Sequence, residues 1–202
     1  MKDTQTKKKQ TEARLLKAAR QEFLQKGYAK ANLRAICKAA GVTTGALYFS
    51  FPNKEALLAA ILDPLIAEYQ AMTRALALRE EQAPDTADEN EIAIIQFYAA
   101  HREEAIILLE KADGSRYANF RDTLEAQMRE AFRSYYARFL GAEPDPELIR
   151  ILAAMRLQGY LEILKGDYSM EKRLELARAI GVHADAGTRQ LIEYLAAENA
   201  HR

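Results

Sequence analysis

Apolar residues recur along this chain at helical spacing, and few stretches alternate as a strand would. Leu15, Leu16, Ala19 and Phe23 form one stripe that ends at Gly27-Tyr28, a stop followed by an apolar residue able to fold back on the helix end. This predicts a first helix over about residues 5–26, with a polar and frayed segment at 1–9. Leu33, Ile36, Cys37 and Ala40 stand at i, i+3, i+4 and i+7, one face of a short second helix. Asn32 before it can accept a free N–H of its first turn. Gly41 after it tolerates the positive φ of a helix-ending turn. Thr43 can cap a third helix in which Leu47 and Phe51, four apart, point inward. Thr44, Ala46, Tyr48, Phe49 and Ser50 are left on its outer sides. Two short helices joined by a tight turn, one a buttress and the next free to enter a major groove, are the pattern of a helix-turn-helix.

Beyond Phe51-Pro52, Asn53 can cap a fourth helix reaching about residue 78. Pro64 lies inside it, where a missing N–H favours a kink. Residues 80–90 are polar and loop-like. Further helices are predicted over about 92–100, 101–112, 116–140, 145–165 and 169–198, the last loosened at Gly181 and Gly187. Asp113-Gly114-Ser115, the stretch from Gly141 to Pro146, and Gly166-Asp167 separate them. The expected fold class is all-α with about nine helices. A three-helix head over residues 1–52 joins a larger helical domain over residues 53–202.

Composition changes this picture little, but charge changes it a good deal. With 49% hydrophobic and 29% charged residues the chain reads as globular. No run approaches the roughly 18 apolar residues of a membrane span, so no membrane partner is expected. The basic N-terminal residues have no apolar stretch behind them, unlike a secretory signal. A single cysteine excludes an intrachain disulfide framework and fits a cytoplasmic location. The formal net charge of zero hides an asymmetry: residues 1–56 hold 12 Lys and Arg against 4 Asp and Glu, and the rest hold 17 against 25. A basic head on an acidic body suits a small DNA-binding domain attached to a domain with another task. Lys7, Lys8 and Lys9 add an arm able either to reach a DNA backbone or only to solubilise the terminus.

The segment from Arg14 to Tyr28 carries Arg14-Leu15-Leu16, Ala18-Ala19, Phe23 and Gly27-Tyr28 at fixed spacing. It is followed by Ile36, Ala40-Gly41-Val42-Thr43, Gly45, Leu47-Tyr48, Phe51, Lys54-Glu55 and Leu57. This spacing resembles the signature of the tetracycline-repressor (TetR) family over about residues 11–60. The resemblance implies an all-α regulator that binds double-stranded DNA as a homodimer and senses a small molecule in its body. Two positions depart from the family pattern. Ala31 and Asn32 stand where Thr or Ser is common before the second helix, and Cys37 stands where alanine is common.

Base reading falls to the outer positions of the third helix: Thr44, Ala46 and Phe49, with Gly45 allowing close approach. That helix has no Arg or Asn for a bidentate base contact, so apolar contact with thymine methyls and DNA shape are left to carry specificity. Thr43, Tyr48 and Lys54 match family positions that commonly touch phosphates, and Arg34 on the second helix can add another. For a dimer face, the helix predicted over 145–165 offers two apolar stripes. One is Leu148, Leu152, Met155 and Gly159; the other is Ile149, Ala153, Tyr160 and Ile163. The sequence does not say which meets a partner; the first, with Leu174, Leu191 and Leu195 of the last helix, is the candidate set. For an effector pocket, the resemblance directs attention to Phe97, Tyr98, His101, Tyr117, Phe120, Met128, Phe132, Tyr136, Met155 and Gln158, each of which, taken singly, reads better as ordinary core.

Catalysis finds no local support. His101, His183 and His201 are the only histidines, His101 with Glu104 makes at most two metal ligands, and there is no glycine-rich phosphate loop or nucleophile elbow. The expected function is a dimeric repressor that binds a palindromic operator and is released by an unidentified effector, with no cofactor or metal. The alternatives are an activator, a regulator controlled by a protein partner, or, in a different class, a helical enzyme or carrier.

Overall fold

The computed structural model describes the backbone of residues 2–82 and 87–200 and the side chains of residues 5–79 and 93–198. Among the described residues every regular element is a helix: α1 (Lys2–Lys30), α2 (Leu33–Ala40), α3 (Thr44–Ser50), α4 (Lys54–Gln82), α5 (Ala87–Ala100), α6 (Arg102–Glu110), α7 (Phe120–Leu140), α8 (Pro146–Lys165) and α9 (Met170–Ala200). The all-α expectation and the number of helices both hold.

The differences lie at helix ends. α1 starts at Lys2, so the N-terminal segment is helical where fraying is expected. Its lysines and glutamines are good helix formers, and neighbouring turns are tied by the Thr11 hydroxyl, which donates to the Lys7 carbonyl at 3.0 Å, and by Lys8 and Glu12 at 3.8 Å. The helix breaks at Gly27 (φ 73°, ψ 161°), and a final turn follows in which the Ala31 N–H reaches the Gly27 carbonyl at 3.0 Å. α7 starts at Phe120, four residues later than its apolar pattern allows. Tertiary ties hold Arg116 and Tyr117 to Asp63 of α4, and the Ser115 hydroxyl accepts from the Tyr117 N–H at 3.1 Å. The expected loop is helical at 80–82 and 87–90, and residues 83–86 lie outside the described ones. α9 passes through Gly181 and Gly187 without a break. Each glycine costs a helix about 1 kcal/mol, and packing of α9 against α5 and α8 outweighs that.

The chain divides into two compact units, Met1–Ala75 with His101–Arg121, and Leu76–Ala100 with Asp122–Arg202. In the first, α1 packs on α2, α3 and α6. Leu15, Phe23, Ile36, Leu47, Leu57, Leu58, Leu62 and Ile107 lose all solvent contact there, each contributing about 1.5–3 kcal/mol of transfer free energy. In the second, α5, α8 and α9 pack together, and the core holds Phe97, Leu124, Tyr136, Ile149, Ala153, Leu157 and Leu161. α8 carries its two stripes unequally. Ile149, Ala153 and Ile163 are buried, whereas Leu148, Leu152 and Gly159 are half-buried and Met155 is 65% exposed.

Candidate nucleic-acid interface

The pair α2–α3 is built by local chemistry at each end. The Asn32 side chain accepts from the Arg34 and Ala35 N–H groups at 2.8 and 3.3 Å. Gly41 closes α2 in the left-handed region (φ 63°, ψ 39°), and its N–H and that of Val42 take up the Lys38 and Cys37 carbonyls. Thr43 then caps α3, its hydroxyl oxygen accepting from Ala46 N–H at 3.2 Å. α3 ends at Phe51 in extended backbone, with Leu47 and Phe51 anchoring its inner side. α1 holds the start of α2 through Glu22, whose carboxylate takes the Lys26 ammonium at 2.8 Å and the Asn32 N–H at 3.1 Å. The Lys26 bond, reinforced by that of Asn32, outweighs desolvation and holds the Glu22 carboxyl below the usual range.

What this scaffold leaves outside is the face of α3. Phe49 is 77% exposed and Tyr48 54%, and Thr44 and Gly45 are exposed beside them. Thr43 and Arg34 are exposed as well, whereas Ala46 is half-buried. Two neighbouring exposed aromatics on a seven-residue helix are costly in water and point to a covering partner. The Lys8 ammonium lies 5.2 Å from the Phe49 ring centroid, so the N-terminal extension of α1 reaches the outer face of α3. Lys7, Lys9, Arg14, Lys17, Arg34 and Lys38 are exposed on α1 and α2. The acidic groups described in the head are engaged: Glu12 lies by Lys8, Glu22 binds Lys26, and Glu55 accepts from Tyr28 and Arg116. The exposed cations of this face thus outnumber its described acidic groups.

Lys54 is placed differently from the rest of the expected contact set. It is half-buried, and its ammonium donates to the carbonyls of Tyr28 (2.7 Å), Ala29 (3.3 Å) and Ala31 (3.3 Å). It also lies 4.5 Å from the Tyr28 ring centroid.

The expected pocket residues divide between the two units. In the first, Tyr117 is buried with its hydroxyl donated to Asp63, His101 lies 3.6 Å from Glu68, and Phe120 is half-buried. In the second, Phe97 and Tyr136 are core, and Tyr98, Met128 and Phe132 are half-buried. Phe132 and Tyr160 share Arg156, whose guanidinium lies 5.6 and 6.0 Å from their ring centroids. Met155 points outward at 65% exposure and Gln158 is exposed with its amide on Glu162, so neither lines an enclosed cavity of its own chain. Of the dimer candidates on α9, Leu174, Leu191 and Leu195 are half-buried.

The polar ties of the first unit escape sequence reasoning altogether. The Tyr28 hydroxyl donates to Glu55 at 2.7 Å, the Arg116 N–H to the same carboxylate at 3.0 Å, and the Tyr28 N–H to the Lys111 carbonyl at 2.7 Å. Burial first, and then the bond to Glu55, pushes the Tyr28 hydroxyl up to about 12; burial and Asp63 do the same for Tyr117. These partners are tens of positions apart, and no local pattern announces them.

Residues 15–61 match the family described as bacterial regulatory proteins, tetR family. The chain is 36% identical over 81 residues to the HTH-type transcriptional regulator TtgR of Pseudomonas putida, covering 40% of this chain and 39% of that one. It is 42% identical over 62 residues to the HTH-type transcriptional regulator UidR of Escherichia coli, covering 31% and 32%. The aligned part thus spans about two fifths or less of the length of these relatives. Among solved structures, NalD, the secondary repressor of the MexAB-OprM multidrug efflux pump in Pseudomonas aeruginosa, superposes with a TM-score of 0.57 at 20% identity, over 91% of this chain and 98% of that one. That likeness extends the shared fold well beyond the head.

Proposed function

We propose that this chain, whose residues 15–61 match the tetR family of bacterial regulatory proteins, is a transcriptional repressor whose dimer binds a palindromic operator and releases it when a small molecule occupies the body. Residues 1–52 read DNA and residues 53–202 serve dimerisation and the effector. One observation carries the reading: a doubly capped α3 presents Phe49 and Tyr48 to solvent from a head with a cationic surplus. A hydrophobic partner surface would cover the aromatics but would not answer the excess of positive charge around them. A DNA groove takes both, with thymine methyls against Phe49 and Ala46 and phosphates against Thr43, Tyr48 and Arg34.

Exposed apolar residues on α8 and α9 support the dimer. Met155 and Ile151 on α8 and Val182 and Tyr194 on α9 are exposed, more apolar surface than a helical body leaves to water without use. A second copy doubles the DNA contacts of a single helix-turn-helix and sets the half-site spacing. Effector release needs a ligand that favours the state in which the two heads no longer fit the operator. The test is selection of genomic fragments by the purified chain, followed by gel shift of the recovered DNA. Retention of a palindromic fragment, competed only by itself, is the expected result, and recovery of no specific fragment overturns the reading. A compound that both raises the melting temperature and releases that fragment identifies the effector.

A further inference from the structure

The face of α1 that seals the head continues past the core. Counted from Lys8, the residues Glu12, Leu15 and Ala19 follow at i+4, i+7 and i+11, one stripe of the helix. Ala19 and Leu15 are fully buried, Glu12 is half-buried and Lys8 is exposed. Lys8 therefore stands two turns beyond Leu15, about 10 Å along the axis, on the side of α1 that packs against α2 and α3. Its ammonium reaches α3 there and lies 5.2 Å from the centroid of the Phe49 ring, a side chain that is itself 77% exposed. Among the described residues the carboxylate paired with it is Glu12, at 3.8 Å and one helical turn away. An exposed pair at that spacing and an exposed cation–π contact are both weak. Helix register and ring thus orient the ammonium without neutralising it.

We propose that Lys8 is a further DNA-contacting residue: it binds a backbone phosphate at the edge of the groove that receives Phe49, and it acts as a unit with that ring. Resting on the DNA-binding reading, this adds a contact from α1 that lies outside residues 15–61, where the family match falls. The distance supports it. The major groove is about 12 Å wide, so a ring seated against base edges has phosphates about half that width to either side. A cation 5.2 Å from the ring centroid, on the flank of α3 nearest α1, falls at that edge. The ring then meets thymine methyls while the ammonium meets phosphate oxygen. The arm is also helical before DNA arrives, with the Thr11 hydroxyl donating to the Lys7 carbonyl at 3.0 Å, so little chain entropy is lost in placing Lys8. Lys9 leaves the helix about 100° away from Lys8 and takes no part in this contact.

The experiment uses the full chain and the fragment recovered by genomic selection. Affinity is measured over a salt series for the unaltered protein, Lys8→Met, Lys8→Arg, Lys9→Met, Phe49→Ala and the double variant Lys8→Met with Phe49→Ala. Each phosphate contact adds about 0.9 to the steepness of log K against log salt. Lys8→Met keeps the stem, and is expected to lower that steepness by about 0.9 and weaken binding about tenfold near 0.1 M salt. Its melting temperature stays unchanged, because the side chain is exposed. Lys8→Arg restores both slope and affinity, and Lys9→Met leaves the slope as it is. The double variant loses less than the product of the two single losses, because removing the ring releases the cation. An undiminished slope in Lys8→Met overturns the proposal and leaves the arm as a solubilising segment. An equal fall in slope in Lys9→Met overturns it in favour of net charge alone. Losses that multiply in the double variant overturn the coupling of cation to ring. If the unaltered chain retains no specific fragment, the DNA-binding reading fails and this inference with it, whereas a retained fragment with an undiminished slope sinks the inference alone.

Discussion

The two units use their apolar residues in opposite ways. Of the nine largest side chains with essentially no exposure among the described residues, eight belong to the first unit and only Leu161 to the second. Of the eleven large apolar side chains left exposed, nine belong to the second, and the first exposes only Tyr48 and Phe49. The first unit closes its own core and shows water one small aromatic patch, on the outer side of α3. The second buries its apolar residues only in part and leaves the surplus spread largely over α7, α8 and α9. A patch confined to one capped helix suits a ligand with a groove, whereas apolar surface along whole helices suits a second copy of the chain.

The largest expected effect tests the closed core. Phe23→Ala removes a fully buried ring from the centre of the first unit and is expected to cost about 3–5 kcal/mol. Denaturant melting checks this, and a loss below about 1 kcal/mol would show that the head packs no better than the body. Next comes the outer face of α8. Met155→Glu puts a charge at a 65% exposed site. It is expected to leave monomer folding nearly unchanged, convert a dimer to a monomer on sedimentation, and move DNA affinity towards the non-specific range, about a thousandfold weaker. Unaltered sedimentation would remove that face from the interface.

Phe49→Ala separates stability from recognition in the head. The ring is mostly in water, so melting is expected to shift by less than about 0.5 kcal/mol, while operator affinity falls on the order of tenfold. A large drop in melting temperature would make Phe49 a core residue instead. Asn32→Ala deletes the α2 cap and is expected to cost about 1 kcal/mol of stability, measured by thermal unfolding.

The last effect is confined to alkaline pH. The folded-state values of Tyr28 and Tyr117 lie at about 12, above the ordinary 10.0. Their neutral forms are the ones the fold favours, so this stabilisation is complete below pH 10 and is lost as pH rises from 10 to about 12. Ultraviolet titration of the unaltered chain minus that of Tyr28→Phe or Tyr117→Phe should isolate one late-ionising phenol in each case. A difference centred on the ordinary value of 10.0 would undo the assignment.

Much of the head is legible in the sequence because its signals are local. Capping at Asn32 and Thr43, the left-handed turn at Gly41 and the inward pair Leu47 and Phe51 each involve residues within four positions of one another. Backbone geometry alone enforces them. Helix ends governed by distant groups are not legible in that way. The late start of α7 depends on Asp63, more than fifty positions away. The placement of Lys54 is hidden for the same reason: a lysine next to a helix-turn-helix reads as solvated until the carbonyls of Tyr28, Ala29 and Ala31 are seen around it.

Neighbours along the chain are enough to give the all-α class, the location of the helix-turn-helix, the outward set on α3 and the basic head, since periodicity, caps and charge counts need nothing more. Packing had to settle which stripe of α8 is covered within its own unit, that Met155 faces out, and that the Lys54 ammonium is directed at carbonyls. Two stripes of similar apolarity have the same hydrophobic pattern. The choice between them, like the direction of a long flexible side chain, is made by whatever packs beside it, and those residues come from elsewhere in the chain.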